Sequence, residues 1–126
     1  MAARILVVDD DPDILGLMRL HLCSAGYEVR MARDGIEAGY MVLAEAPDLI
    51  ISDVSMPNMD GIAFVSALRA DPTQPRIPVI FLTAAEDEDN RVRELGAAGY
   101  LTKPVRADHL LSMVARHVAG GAPPSG

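Results

Sequence analysis

The run Ile5-Leu6-Val7-Val8 is apolar at every position, and an unbroken run of this length fits a strand that is covered on both faces. The same pattern returns at Leu49-Ile50-Ile51, ahead of Ser52 and Asp53, and at Pro78-Val79-Ile80-Phe81-Leu82, ahead of Thr83. Shorter runs at Tyr27 to Ala32 and Tyr100 to Thr102 bring the strand candidates to five, the first beginning at Arg4. Few folds bury so many strands on both sides.

Helix signals fill the intervals. Asp11 precedes Pro12 as an N-cap precedes a first helical residue, and Ile14, Leu15, Met18 and Leu22 recur at helical spacing until Gly26. Asp34 with Glu37 three residues on resembles a capping box, and Pro47 ends that helix. The turn-rich segment Met56-Pro57-Asn58-Met59-Asp60-Gly61 leads into a third helix over Ile62 to Ala70, with Asp60 as its cap and Asp71-Pro72 closing it. Glu86 to Asp89 open a fourth helix to Leu95, capped by Gly96, and Leu110, Leu111, Val114 and Val118 mark an amphipathic fifth. Strands and helices that alternate in this way predict a doubly wound α/β domain, with five parallel strands between two layers of helices. Ligands of such sheets bind beyond the carboxyl ends of the strands.

The chain of 126 residues suits one domain, expected over 1–119, with the Gly/Pro/Ser-rich residues 120–126 as a tail or linker. Half the residues are hydrophobic but only 4% aromatic, so the core must be aliphatic. A net charge of -7 disfavours nucleic acid and anionic membranes as partners, both of which need a basic face. Cys23 is the single cysteine, which excludes an internal disulfide, and no signal-peptide pattern opens the chain. A cytoplasmic location is expected. No apolar run approaches the ~20 residues that span a bilayer.

The residues just after the strands carry the chemistry. Asp9 and Asp10 follow the first, Asp53 the third, Thr83 the fourth and Lys103 the fifth, all at one end of the sheet. Three converging carboxylates repel unless a cation neutralises them, and an all-oxygen set without nearby His or Cys suits Mg²⁺, with Mn²⁺ tolerated. A carboxylate nucleophile forms an acyl phosphate when surrounding cations spread the charge of the transferring group. Lys103 supplies such a cation and is the only lysine beside ten arginines. A compact ammonium follows a phosphoryl group as a point charge, where a guanidinium demands bidentate geometry. Thr83 is placed to donate its hydroxyl to a phosphoryl oxygen.

Four motifs, Ile5 to Asp11, Ser52 to Gly61, Phe81 to Ala84 and Tyr100 to Pro104, together resemble the receiver domain of bacterial two-component response regulators, over roughly Arg4 to Val118. The resemblance implies a flavodoxin-like strand order 2-1-3-4-5. It implies that Asp53 accepts a phosphoryl group from a sensor histidine kinase or histidine phosphotransfer protein. Asp9, Asp10, Asp53 and the backbone carbonyl of Ser55 would then hold Mg²⁺. Thr83 and Tyr100 would form a switch pair that reports to an output domain or protein through the face of the fourth helix, fifth strand and fifth helix. Ser55 and Ala85, where the family varies water access, are both small, and Gly99 replaces the acidic residue that commonly pairs across winged-helix regulator dimers.

Two rival functions share this chemistry: a Mg²⁺-dependent phosphatase with an aspartyl nucleophile, and a receiver that binds proteins without taking phosphate. The first lacks a general acid two residues after Asp53, where Ser55 stands, and lacks a cap insertion. The intact set of Asp9, Asp10, Asp53, Thr83 and Lys103 argues against the second. A signalling switch rather than an enzyme is therefore expected. Asp11, Asp34 and Asp60 read as helix caps, Cys23 and the seven methionines as core filler, and His21, His109 and His117 as residues without ligand partners.

Overall fold

The computed structural model describes residues 2–84 and 96–118. Its elements run β1 (Arg4–Val8), α1 (Pro12–Ser24), β2 (Glu28–Ala32), α2 (Gly35–Ala44), β3 (Leu49–Asp53), α3 (Gly61–Ala70), β4 (Val79–Thr83), β5 (Gly99–Thr102) and α4 (Ala107–His117). The strands form one parallel sheet in the order β2-β1-β3-β4-β5, the doubly wound, flavodoxin-like arrangement. Of the five expected helices, the one over Glu86 to Leu95 lies outside the described residues, as do Ala85 and the 120–126 tail; α4 is the expected fifth.

The unbroken apolar runs are explained by two cores, one on each face of the sheet. Ile5, Val7, Ile51 and Leu82 pack on one face with Leu15, Met18 and Leu22 of α1 and with Leu110 and Val114 of α4. Leu6, Val8, Ile50 and Phe81 pack on the other with Ala38 and Val42 of α2 and Phe64 and Val65 of α3. Successive side chains of one strand thus enter opposite cores, so the central strands stay apolar until their carboxyl ends, where Ser52, Asp53 and Thr83 stand. Strand β2, at the sheet edge, is buried only at Ala32, with Val29 and Met31 half-buried and Glu28 and Arg30 exposed.

The caps are those the sequence signals. Asp11 accepts the Asp13 N–H at 2.9 Å, Asp34 the Glu37 N–H at 2.8 Å and Asp60 the Ala63 N–H at 2.8 Å, each fixing where a helix starts. Two readings need correction. Cys23 is exposed rather than buried, because Leu22 takes the inward position and the next residue turns about 100° away from the core. Tyr27 precedes β2 instead of starting it, and its ring is buried.

Candidate functional site

Parallel strands end together, so the residues that follow β1, β3, β4 and β5 meet at one edge. Asp9 extends the β1–β2 ladder by donating its N–H to the Ala32 carbonyl at 3.1 Å, which pulls its side chain under the sheet edge with no exposed surface. Asp53, the last residue of β3, is 7% exposed, while Asp10 is exposed. Each of the three offers a carboxylate oxygen, and these lie within 4.8 Å of one another.

Lys103 reaches this group from beyond β5. Its Nζ donates to Asp53 Oδ2 at 2.9 Å and lies 3.2 Å from Asp9 Oδ2. Its backbone N–H donates to the Thr83 carbonyl at 2.8 Å, so the ends of β4 and β5 set where the lysine stem begins. Burial works to lower the Lys103 pKa, but the Asp53 hydrogen bond and the charges of Asp53 and Asp9 outweigh it and hold the ammonium above its usual range. Asp9 moves in the opposite sense to a paired carboxylate. Burial raises its pKa, helped by the Asp53 charge, against the Asp11 N–H bond to its Oδ1 at 2.9 Å and the lysine.

One ammonium therefore serves two buried carboxylates. The contact with Asp9 Oδ2 is one of charge rather than an aligned bond, since this buried oxygen has no hydrogen-bond partner among the described residues. A carboxylate oxygen without a hydrogen-bond partner, flanked by two further carboxylates and, among the described residues, by no His or Cys, fits a hard divalent cation such as Mg²⁺. The set does not suit zinc, which takes Cys and His.

The other predicted residues fall at varied distances from this centre. Ser55 is exposed, two residues beyond Asp53, and donates its N–H to Asp53 Oδ1 at 3.3 Å. Thr83 ends β4 half-buried, and among the described residues no hydrogen bond joins its hydroxyl to the carboxylates. Tyr100 pairs in register with Phe81 but is 39% exposed, so its ring lies at the surface and outside the acidic group.

Some contributors were not singled out from the sequence. Ser52 is fully buried and donates its hydroxyl to the Asp53 carbonyl at 2.9 Å, bracing the backbone from which the carboxylate projects. Gly61 packs so closely that a Cβ would overlap the Asp53 carbonyl oxygen. The sequence marked Gly61 only as a turn residue, because a close approach depends on tertiary packing. Asn58 bonds to Asp34, a partner 24 positions away, which no local pattern could reveal.

The pattern that describes the response regulator receiver domain matches residues 5–115. Among curated relatives, response regulator PleD of Caulobacter vibrioides is 43% identical over 107 residues, which is 83% of this chain and 24% of PleD. The DNA-binding dual master transcriptional regulator RpaA of Synechocystis is 39% identical over 88% of this chain and 47% of RpaA. The chain thus spans between a quarter and a half of the length of these relatives. Among solved structures, the chemotaxis response regulator CheY4 of Vibrio cholerae superposes with a TM-score of 0.86 at 36% identity, covering 94% of this chain and all of CheY4.

Proposed function

The chain belongs to the response regulator receiver domain family, and from that premise we propose that Asp53 is its phosphoacceptor, loaded by a sensor histidine kinase or a histidine phosphotransfer protein. Receiver domains of two-component systems are signalling switches. The observation that carries the assignment is the position of Asp53 Oδ2 on the chain's single lysine, beside a buried carboxylate oxygen that lacks a hydrogen-bond partner among the described residues.

In the proposed transfer, an Asp53 carboxylate oxygen attacks phosphorus, and the bond from phosphorus to the donor imidazole nitrogen breaks. The electron pair leaves on that nitrogen. Lys103 already carries a full positive charge at neutral pH, and moves from the carboxylate to the incoming phosphoryl oxygens with little change in position. Asp9, Asp10, Asp53 and the Ser55 carbonyl would hold Mg²⁺, or Mn²⁺ in its place. When bound, the ion supplies charge that draws phosphoryl oxygens to this edge and offsets the crowding of carboxylates. Thr83 then turns its hydroxyl to the phosphoryl group, and Tyr100, whose ring is now outside, follows it inward. Output is read, by a further domain or protein, on the face expected from the fourth helix of the sequence, β5 and the fifth helix, α4 of the structure. The reading places the domain in the cytoplasm, and among the described residues no helix is long and apolar enough to cross a membrane.

The test is chemical. Acetyl phosphate with Mg²⁺ should label the chain once, and hydroxylamine, which cleaves acyl phosphates, should remove the label. Repeated turnover of small phosphate esters would instead identify an aspartyl phosphatase. Absence of label from both acetyl phosphate and a histidine phosphodonor would identify a binding module that takes no phosphate.

A further inference from the structure

The loop from Val54 to Asp60 leaves β3 just after the proposed phosphoacceptor, yet its tip is tied to α2. Asn58 has φ 65°, in the left-handed region that Asn tolerates better than most residues, and donates Nδ2–H to Asp34 Oδ2 at 2.8 Å. The other oxygen of the same carboxylate accepts the Glu37 N–H at 2.8 Å and caps α2. Next to this pair, Gly35 donates its N–H to the Met59 carbonyl at 2.8 Å. A Cβ on Gly35 would stand 2.7 Å from that oxygen and 2.8 Å from Met59 Cγ, so only glycine lets the helix start come so close. At the far end of the loop, Gly61 closes back on the Val54 carbonyl at 2.9 Å.

A helix cap needs one oxygen of Asp34. The second is committed to a residue 24 positions away, in the loop that begins with the Ser55 N–H bonded to Asp53 Oδ1. The Glu37 N–H and the Asn58 amide together hold the Asp34 carboxyl below its ordinary range, as two donors to one anion should. The loop is thereby closed at its base, where Gly61 bonds to the Val54 carbonyl, and tied to α2 at its tip, and Ser55 lies between these two anchors.

We propose that Asp34 and Asn58 are positioning residues whose hydrogen bond fixes the loop presenting Ser55, so that the start of α2 sets the Mg²⁺ affinity of a site it does not touch. The inference rests on the phosphoacceptor reading above. It requires no contact between either residue and the ion.

Two substitutions isolate the bond in the full chain. Asn58→Gly keeps the positive φ accessible and deletes the amide; Asp34→Ser keeps an oxygen that can cap α2 and deletes the one facing Asn58. Only the second alters charge, so agreement between them excludes a purely electrostatic effect. Mg²⁺ affinity is read by titration calorimetry, and amide hydrogen exchange across Ser55 to Met59 is read in the metal-free protein. Each variant should weaken Mg²⁺ binding about two- to tenfold, the range that corresponds to one lost hydrogen bond. Exchange across the loop should quicken, and the double variant should shift no further than the larger single one. Labelling by acetyl phosphate should need correspondingly more Mg²⁺ to half-saturate while its maximal rate is retained.

A lower melting temperature with an unchanged Mg²⁺ midpoint, or unchanged loop exchange, would mean that the bond serves only to hold α2 and would overturn the proposal. Wild type and both variants binding Mg²⁺ equally would remove the positioning role alone. Wild type binding no Mg²⁺ would remove the phosphoacceptor reading and this inference with it.

Discussion

Asp9 sets the balance of charge at the residue scale. It is fully buried, its Oδ2 lacks a hydrogen-bond partner among the described residues, and burial raises its pKa above 3.8. A carboxyl whose folded pKa lies above its unfolded value costs stability when ionised. That cost is present at neutral pH, shrinks as pH falls through the folded pKa, and is gone below 3.8. Asp9→Asn is therefore expected to raise the melting temperature of the metal-free protein at pH 7, to lose that advantage on acidification, and to weaken Mg²⁺ binding. Thermal melts across pH with and without Mg²⁺ check this, and a variant less stable than wild type at pH 7 would contradict it. Lys103 has the opposite linkage. Its raised pKa contributes stability that is complete below 10.5 and lost as pH rises through the folded value, so the same melts should show an alkaline limb that Lys103→Met lacks. Tyr27 offers a control remote from the strand-end carboxylates. Its buried hydroxyl has no partner among the described residues and burial pushes its pKa up, so Tyr27→Phe should leave stability unchanged or raise it by up to about 1 kcal/mol in urea unfolding.

At the scale of elements, what the sequence made legible was local. Asp11, Asp34 and Asp60 cap α1, α2 and α3 as their spacing to the following residues predicts, because an N-cap is settled within four positions of chain. Asp60→Ala should cost about 1 kcal/mol in denaturant unfolding, the usual loss for such a cap. The exposure of Cys23 was not legible in the same way. Residue type suggests burial, but the helix phase, fixed by Leu15, Met18 and Leu22 against the sheet, turns it outward. Close approaches escape sequence patterns altogether. Gly61 abuts the Asp53 carbonyl, so Gly61→Ala must displace backbone at the end of β3. It should destabilise the fold by more than the Asp60 substitution and impair phosphoryl acceptance together with stability. Equal stability to wild type, by the same unfolding measurement, would show that the loop relaxes freely.

For the whole molecule, the runs of apolar residues and the alternation of strand and helix foretold the parallel sheet, and parallel strands bring their ends to one edge. That is why Asp9, Asp10, Asp53 and Lys103, from three different strand ends, could be assigned to one site before their distances were known. The sequence could not say how the single ammonium is shared, that Asp9 Oδ2 is left without an aligned donor, or that Asp34 reaches across to Asn58, because each depends on side-chain placement after packing. Linkage adds a molecular consequence. A cation bound only by the folded state stabilises it in proportion to ligand concentration, so Mg²⁺ should raise the melting temperature of wild type, and a chelator should reverse the gain. The central claim is tested most directly by intact mass after treatment with a small-molecule phosphodonor and Mg²⁺. Wild type should gain one phosphoryl group and Asp53→Asn none; a wild type that stays unmodified, or an Asp53→Asn chain that gains the same mass to the same extent, would contradict the account.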